Sequence, residues 1–198
     1  MDALLLVDIQ NDFMPGGALA VQNGNEVVPM ANRLMARFDL VIATKDWHPA
    51  NHMSFAVRHE GKHVGDMIQL NGLPQILWPI HCIQGTRGSE FAPDLNTRDI
   101  DKVFTKGSDP GIDSYSAFFD NGHRQSTGLE DYLLVEGVST LHVAGLATDY
   151  CVKFTVLDAL QLGFKTHVVT SACRAVNLDE GDEHMALREM EEAGAIID

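Results

Sequence analysis

Basic residues are scarce in this chain. Its 14 Lys and Arg stand against 28 Asp and Glu, for a formal net charge of −14. That balance repels polyanions and excludes nucleic acid and anionic membrane surfaces as main partners. Cysteine is scarce too. Cys82, Cys151 and Cys173 are the only three, and they form neither a CxxC motif nor a disulfide framework. Such usage fits a reducing cytoplasm. No apolar run approaches the length needed to cross a bilayer. The opening residues, MDALLLVDIQNDF, lack a basic segment and read as a first strand rather than a signal peptide. Internal repeats, linkers and low-complexity segments are also absent.

What is present is an ordinary globular composition, 45% hydrophobic over 198 residues. That is enough for one sizeable core, and the expectation is a single domain over residues 1–198. Buried strands are expected at Ala3–Ile9, Leu40–Thr44, Asp101–Thr105, Thr140–Ala144 and Lys165–Ser171, with a short sixth at Ala195–Ile197. Helical patterns run from a cap at Asn25 to about Phe38, over Leu129–Val135, from Cys151 through KFTVLDALQLGF, and over Asp182–Ala193. The inward sets are Val28, Ala31, Leu34 and Met35 in the first of these and Phe154, Leu157, Leu160 and Leu162 in the third. In the last they are Met185, Leu187, Met190 and Ala193. Strands alternating with helices predict an α/β fold. It is a doubly wound, mostly parallel six-stranded sheet with helices on both faces. Residues 46–100 break this rhythm with four prolines and several glycines, and so long an irregular stretch in a compact domain is usually functional.

In such sheets the active site forms at the carboxyl ends of the strands, near the point where strand order reverses. The polar oddities fall there. Asp8 closes the first strand, Asp46 follows the second, Lys106 closes the third and Cys151 lies just past the fourth. A lone Cys is often a small buried packing residue. With Thr148 or Asp149 as N-cap, however, Cys151 falls in the first turn of its helix, where the dipole is expected to lower the thiol pKa. A thiol nucleophile also needs a group to take its proton and return it to a leaving amine. Asp8 suits that task, with Lys106 holding it. The competing reading of Asp8 and Lys106 is a buried ion pair that only stabilises the sheet.

Five of the nine histidines fall within the irregular stretch: His48, His52, His59, His63 and His81. Asp46 and His48, two apart in an extended segment, point the same way, and His81 completes a three-ligand set with open positions. Imidazole and carboxylate suit zinc, iron or manganese. His52 is a further candidate of lower rank, as is Cys82, and surface histidines are the plainer reading. Phe13, Trp78 and Tyr115 sit in loops that leave strand ends, where they wall a pocket for a flat substrate or simply pack the core.

Five segments, VDIQNDF, TKDWHPANHMSF, WPIHCIQGT, FTKG and VAGLATDYCV, occur in the order seen in nicotinamidases of the isochorismatase-like cysteine hydrolases. The chain resembles that family over nearly its whole length. The resemblance implies a triad of Asp8, Lys106 and Cys151 and metal ligands Asp46, His48 and His81. It also implies a cis peptide between Leu146 and Ala147, with the N–H groups of Ala147 and Cys151 as an oxyanion hole. The implied activity is metal-dependent hydrolysis of nicotinamide to nicotinate and ammonia through a cysteine thioester, serving NAD salvage. Pyrazinamide is an expected side substrate. Phe13, Trp78 and Tyr115 would enclose the ring, and one divalent ion, zinc ahead of iron or manganese, would bind its nitrogen. The rivals are another amide or carbamoyl hydrolase of the same superfamily, or a non-catalytic metal-binding protein on this fold. The partner is a small molecule, and oligomeric state is left open.

Overall fold

The structure is a computed structural model that describes all residues from Met1 to Asp198. Six strands form one sheet: β1 (Asp2–Val7), β2 (Val41–Asp46), β5 (Lys102–Lys106), β6 (Thr140–Leu146), β7 (Lys165–Arg174) and β8 (Ile196–Ile197). Their order is β5-β2-β1-β6-β7-β8, and every neighbouring pair is parallel. The chain winds outward from β1 in one direction, then returns to β6 and winds the other way. The reversal therefore lies between β1 and β6, so Asp8 and Cys151 leave adjacent strands.

The continuous apolar run of β1 is explained by burial on both faces. Ala3, Leu5 and Val7 join one core, with Ile42, Leu141 and Val143. Leu4 and Leu6 join the other, with Val41, Ala43 and Leu146. Three helices cover the first face: α2 (Leu129–Val135), α3 (Lys153–Gln161) and α4 (Asp182–Glu192). One helix, α1 (Val27–Met35), covers the second. Loop residues Phe13, Val21, Cys82, Ala92 and Leu95 complete that layer. Part of the irregular stretch thus substitutes for a second helix. No helix is long and apolar enough to cross a membrane.

Several local expectations are corrected. Asn25 does not cap α1; it lies in a 3-10 turn, Gly24–Glu26, and the helix begins at Val27. The stretch from 46 to 100 contains an antiparallel hairpin, β3 (Met67–Leu70) and β4 (Leu73–Ile76). Its turn residues Asn71 and Gly72 both have positive φ, 51° and 86°, which is why Asn-Gly serves there. In α3 the buried face is Thr155, Val156, Asp158 and Ala159, not the stripe through Phe154 and Leu157. Small and β-branched residues let the helix lie close to the sheet, and Phe154 is turned outward to within 5.3 Å of the Tyr115 ring. In α4 Met190 is buried but Met185 is exposed, and Ala186 takes the inward position.

Gly145 marks the closest approach of the two central strands. Its φ is +127°, and a Cβ there would lie 2.1 Å from the Val7 carbonyl oxygen. The β6–β7 register also shifts between Val143 and Gly145.

Leu5 is fully buried in the central strand. Leu5→Ala is expected to cost about 2–5 kcal/mol of unfolding free energy, measured by urea denaturation. A loss below about 1 kcal/mol would contradict this packing.

Candidate active site and metal centre

Sheet register sets the first contact. Asp46 and Lys106 are direct partners in the β2–β5 ladder, and the Lys106 ammonium bonds Asp46 Oδ1. The same ammonium lies 2.8 Å from Asp8 Oδ2, 2.9 Å from the Ser114 carbonyl and 3.3 Å from Cys151 Sγ. Asp8, Lys106 and Cys151 therefore meet in one buried cluster. Thr44 donates its hydroxyl to Asp8 Oδ1 at 2.7 Å and fixes the carboxylate from the other side. Gln10 holds Asp46 as a neighbouring strand would. Its amide accepts from the Asp46 N–H and donates to the Asp46 carbonyl, both at 2.8 Å.

Electrostatics follow from burial and from these pairs. Burial raises the Asp8 carboxyl above its usual range, against the opposing pull of Lys106. Burial also pushes the Cys151 thiol well up; Lys106 opposes that, while Asp8 and Asp46 add to it. The expected lowering of the thiol is thus reversed. Desolvation outweighs the Lys106 charge, and the helix start is not as expected. Residues Thr148–Val152 form a π-helical turn whose N-cap is Ala147. Thr148 bonds Glu183, and the Asp149 carboxylate accepts from the N–H groups of Val176 and Asn177. Burial works against the charge on Lys106, but Asp46 and Asp8 outweigh it and hold the ammonium protonated well above its ordinary range.

Asp46 faces a second group with its other oxygen. Asp46 Oδ2 lies 3.5 Å from His48 Nε2 and 3.6 Å from His81 Nε2. Both imidazoles are anchored from behind: His48 Nδ1 meets the Gly107 carbonyl at 2.8 Å and His81 Nδ1 meets the Pro79 carbonyl at 2.9 Å. A carbonyl only accepts, so each Nδ1 carries the proton and each Nε2 is left with a free lone pair. His48 Nε2 is buried without a hydrogen-bond partner. Donors about 2.0–2.1 Å from a tetrahedral ion lie roughly 3.4 Å from one another. Asp46, His48 and His81 therefore fit one divalent cation. His52 stands apart from this set: its Nδ1 meets the Ser54 hydroxyl at 2.7 Å, and its Nε2, also buried without a hydrogen-bond partner, groups with His48 and Asp113 rather than with Asp46 and His81. Gly107 is required here, because a Cβ would stand 2.5 Å from the His48 ring.

Between thiol and donor set lies a small pocket. Phe13, Trp78 and Tyr115 all line it, with Ala147, Cys151 and His81. The Tyr115 hydroxyl accepts from Trp78 Nε1 at 3.1 Å and from Gln75 Nε2 at 3.2 Å, so hairpin strand β4 braces this wall. Sequence reasoning missed Leu19, Asp113, Tyr150 and Val176, which share the lining. Tyr150 was within reach, being next to Cys151 in the same motif; its ring packs edge-on against Trp78 at 4.8 Å. Leu19 and Val176 carry no local signal. The Leu146–Ala147 peptide is cis. The Ala147 carbonyl accepts from the N–H groups of Tyr150 and Val152, while the intervening Cys151 N–H is not among its donors. The Ala147 N–H has no backbone acceptor.

A parallel α/β sheet with a buried thiol at its switch point and a His/Asp donor set beside it defines a hydrolase-like site. The chain belongs to the isochorismatase domain family, whose model matches residues 2–197. It is 55% identical to the nicotinamidase of Escherichia coli strain K12, over 98% of this chain and 93% of that protein. It is also similar to the structure of an Acinetobacter baumanii nicotinamidase pyrazinamidease, with a TM-score of 0.96, 45% identity and coverage of 99% and 94%. A Pyrococcus horikoshii pyrazinamidase solved in complex with zinc matches with a TM-score of 0.81 and 37% identity over 100% and 98% of the two chains.

His48→Ala and His81→Ala are each expected to lose the metal beside Cys151, whereas His52→Ala retains it. Elemental analysis of the purified variants reads this directly, and full metal in the His81→Ala protein would break the donor set.

Proposed function

We propose that this chain hydrolyses nicotinamide to nicotinate and ammonia, with Cys151 as nucleophile, Asp8 as proton carrier and Lys106 as the charge that holds both. The observation that carries the reading is the single ammonium shared by Asp8 and Cys151 beside a pocket lined by aromatic side chains.

A thiol held neutral by burial needs a base at the moment of attack. The raised carboxyl of Asp8 suits that role better than an ordinary carboxylate. Cys151 Sγ adds to the amide carbonyl as its proton passes to Asp8. The oxygen that gains charge is received by the Ala147 and Cys151 N–H groups. Asp8 then returns the proton to nitrogen, the C–N bond breaks and ammonia leaves a thioester on Cys151. Water attacks that thioester while Asp8 takes its proton. The C–S bond breaks, the Asp8 proton returns to sulfur, and the nicotinic acid released ionises to nicotinate. Lys106 stays charged throughout and offsets the negative charge that moves between oxygen and sulfur. Phe13, Trp78 and Tyr115 hold the ring flat. A divalent cation on Asp46, His48 and His81, zinc in this reading, supplies a Lewis-acid handle for the ring nitrogen. Pyrazinamide keeps a nitrogen at that position and is a substrate as well. The product serves NAD salvage.

Two measurements test this. Ammonia release from nicotinamide should vanish in Cys151→Ala and persist in Cys173→Ala; turnover by the Cys151→Ala protein would sink the covalent route. Benzamide has the same shape without the ring nitrogen. A site built for a polar partner rejects an analogue that lacks it, so kcat/KM for benzamide should be at least ~10²-fold below that for nicotinamide. Equal values would mean that the ring nitrogen is not read.

A further inference from the structure

The opposite edge of the sheet holds a second constellation of metal-binding side chains. His142 of β6 and His167 of β7 are direct partners in the parallel ladder, so both project from the same face. Their rings stack with centroids 4.5 Å apart and planes 18° from parallel. The Asp198 carboxylate lies 2.9 Å from His167 Nδ1, and the Asp2 carboxylate lies 3.6 Å from His142 Nε2. One donor atom each from His142, His167 and Asp198 lies within 4.8 Å of the other two. Asp46, His48 and His81 meet the same criterion.

The surroundings are suited to a bound ion. The histidine side chains are 19% and 15% exposed, while that of Asp198 is 43% exposed. The imidazoles are therefore shielded and the carboxylate is open to an arriving hydrated cation. The Phe38 ring, 4.9 Å from His142, walls one side. The backbone of Asp198 is fixed to β7: its N–H donates to the Val168 carbonyl at 2.9 Å, and its carbonyl accepts from the Thr170 hydroxyl. The main chain at Asp198 is thus fixed, and its carboxylate rests against His167 Nδ1. These residues stand near the amino ends of β6 and β7, whereas Asp8, Asp46, Lys106 and Cys151 gather at carboxyl ends.

We infer that His142, His167 and Asp198 form a second site for a divalent transition cation of the zinc, cobalt and nickel class, with Asp2 orienting His142. Two imidazoles and a carboxylate select this class over magnesium or calcium, which prefer all-oxygen sites. The ion would clip β6, β7 and the segment after β8 together, on the side of the sheet remote from the thiol.

The test uses untagged, chelator-stripped protein titrated with cobalt(II), followed by calorimetry and visible absorption. Wild type binds two equivalents. His167→Ala binds one and still hydrolyses nicotinamide when loaded. Asp198→Asn keeps its shape but weakens the second equivalent by at least ~10-fold. His48→Ala retains the distal equivalent and loses the one beside Cys151, so the two sites are read separately. One equivalent in wild type, or two of unchanged affinity in both His167→Ala and Asp198→Asn, overturns the inference.

Discussion

The site depends on one buried ammonium. Lys106 is almost wholly removed from water, and burying a charge is costly unless it is paired and hydrogen-bonded. Here the compensation is two carboxylates, a carbonyl and a sulfur. The pairing divides the work of Asp46 between its oxygens: Oδ1 meets Lys106, and Oδ2 faces His48 and His81. Two carboxylates and one ammonium leave the cluster one negative charge in excess while the thiol is neutral. A divalent ion held on the far oxygen would turn that into one positive charge, which would match the charge that develops on sulfur or oxygen during acyl transfer.

The topology makes this arrangement cheap to specify. Reversal between β1 and β6 brings Asp8 and Cys151 to neighbouring strand ends, and β2–β5 register brings Lys106 beside Asp46. Gly145 allows β6 to pass close to Val7. No long-range loop has to find its partner to assemble the thiol cluster. The metal donors are different. His48 and His81 come from the irregular segment, and they rely on the Gly107 and Pro79 carbonyls to hold them.

Much of this was legible in the chain. Apolar runs that end abruptly near Asp8 and Asp46 report strands covered on both faces and side chains delivered to one edge; β5, which delivers Lys106, is a largely exposed edge strand. The parts that were not legible have physical reasons. The α3 stripe misleads because the sheet accepts the small face, Thr155 and Ala159, and turns Phe154 outward. The thiol environment misleads because burial and the neighbouring Asp8 and Asp46 carboxylates outweigh the Lys106 charge. The separation of His52 from the Asp46 set rests on its grouping with His48 and Asp113, which spacing does not encode. The His142–His167 pair joins residues far apart in sequence, and only strand register places them together. The Asn71–Gly72 hairpin, by contrast, had a readable turn signal.

The central claim is that Lys106 serves the thiol and Asp8, while Asp46 keeps an independent oxygen for the metal. The Lys106→Met variant separates these tasks. Metal content by elemental analysis should stay at the wild-type level, because Asp46 Oδ2, His48 and His81 are untouched. Nicotinamide turnover by the same preparation should fall by ~10²-fold or more, the scale at which positioned proton transfer contributes. Turnover within about 10-fold of wild type, with metal bound and the fold intact, would reduce Lys106 to a structural ion pair and contradict the account.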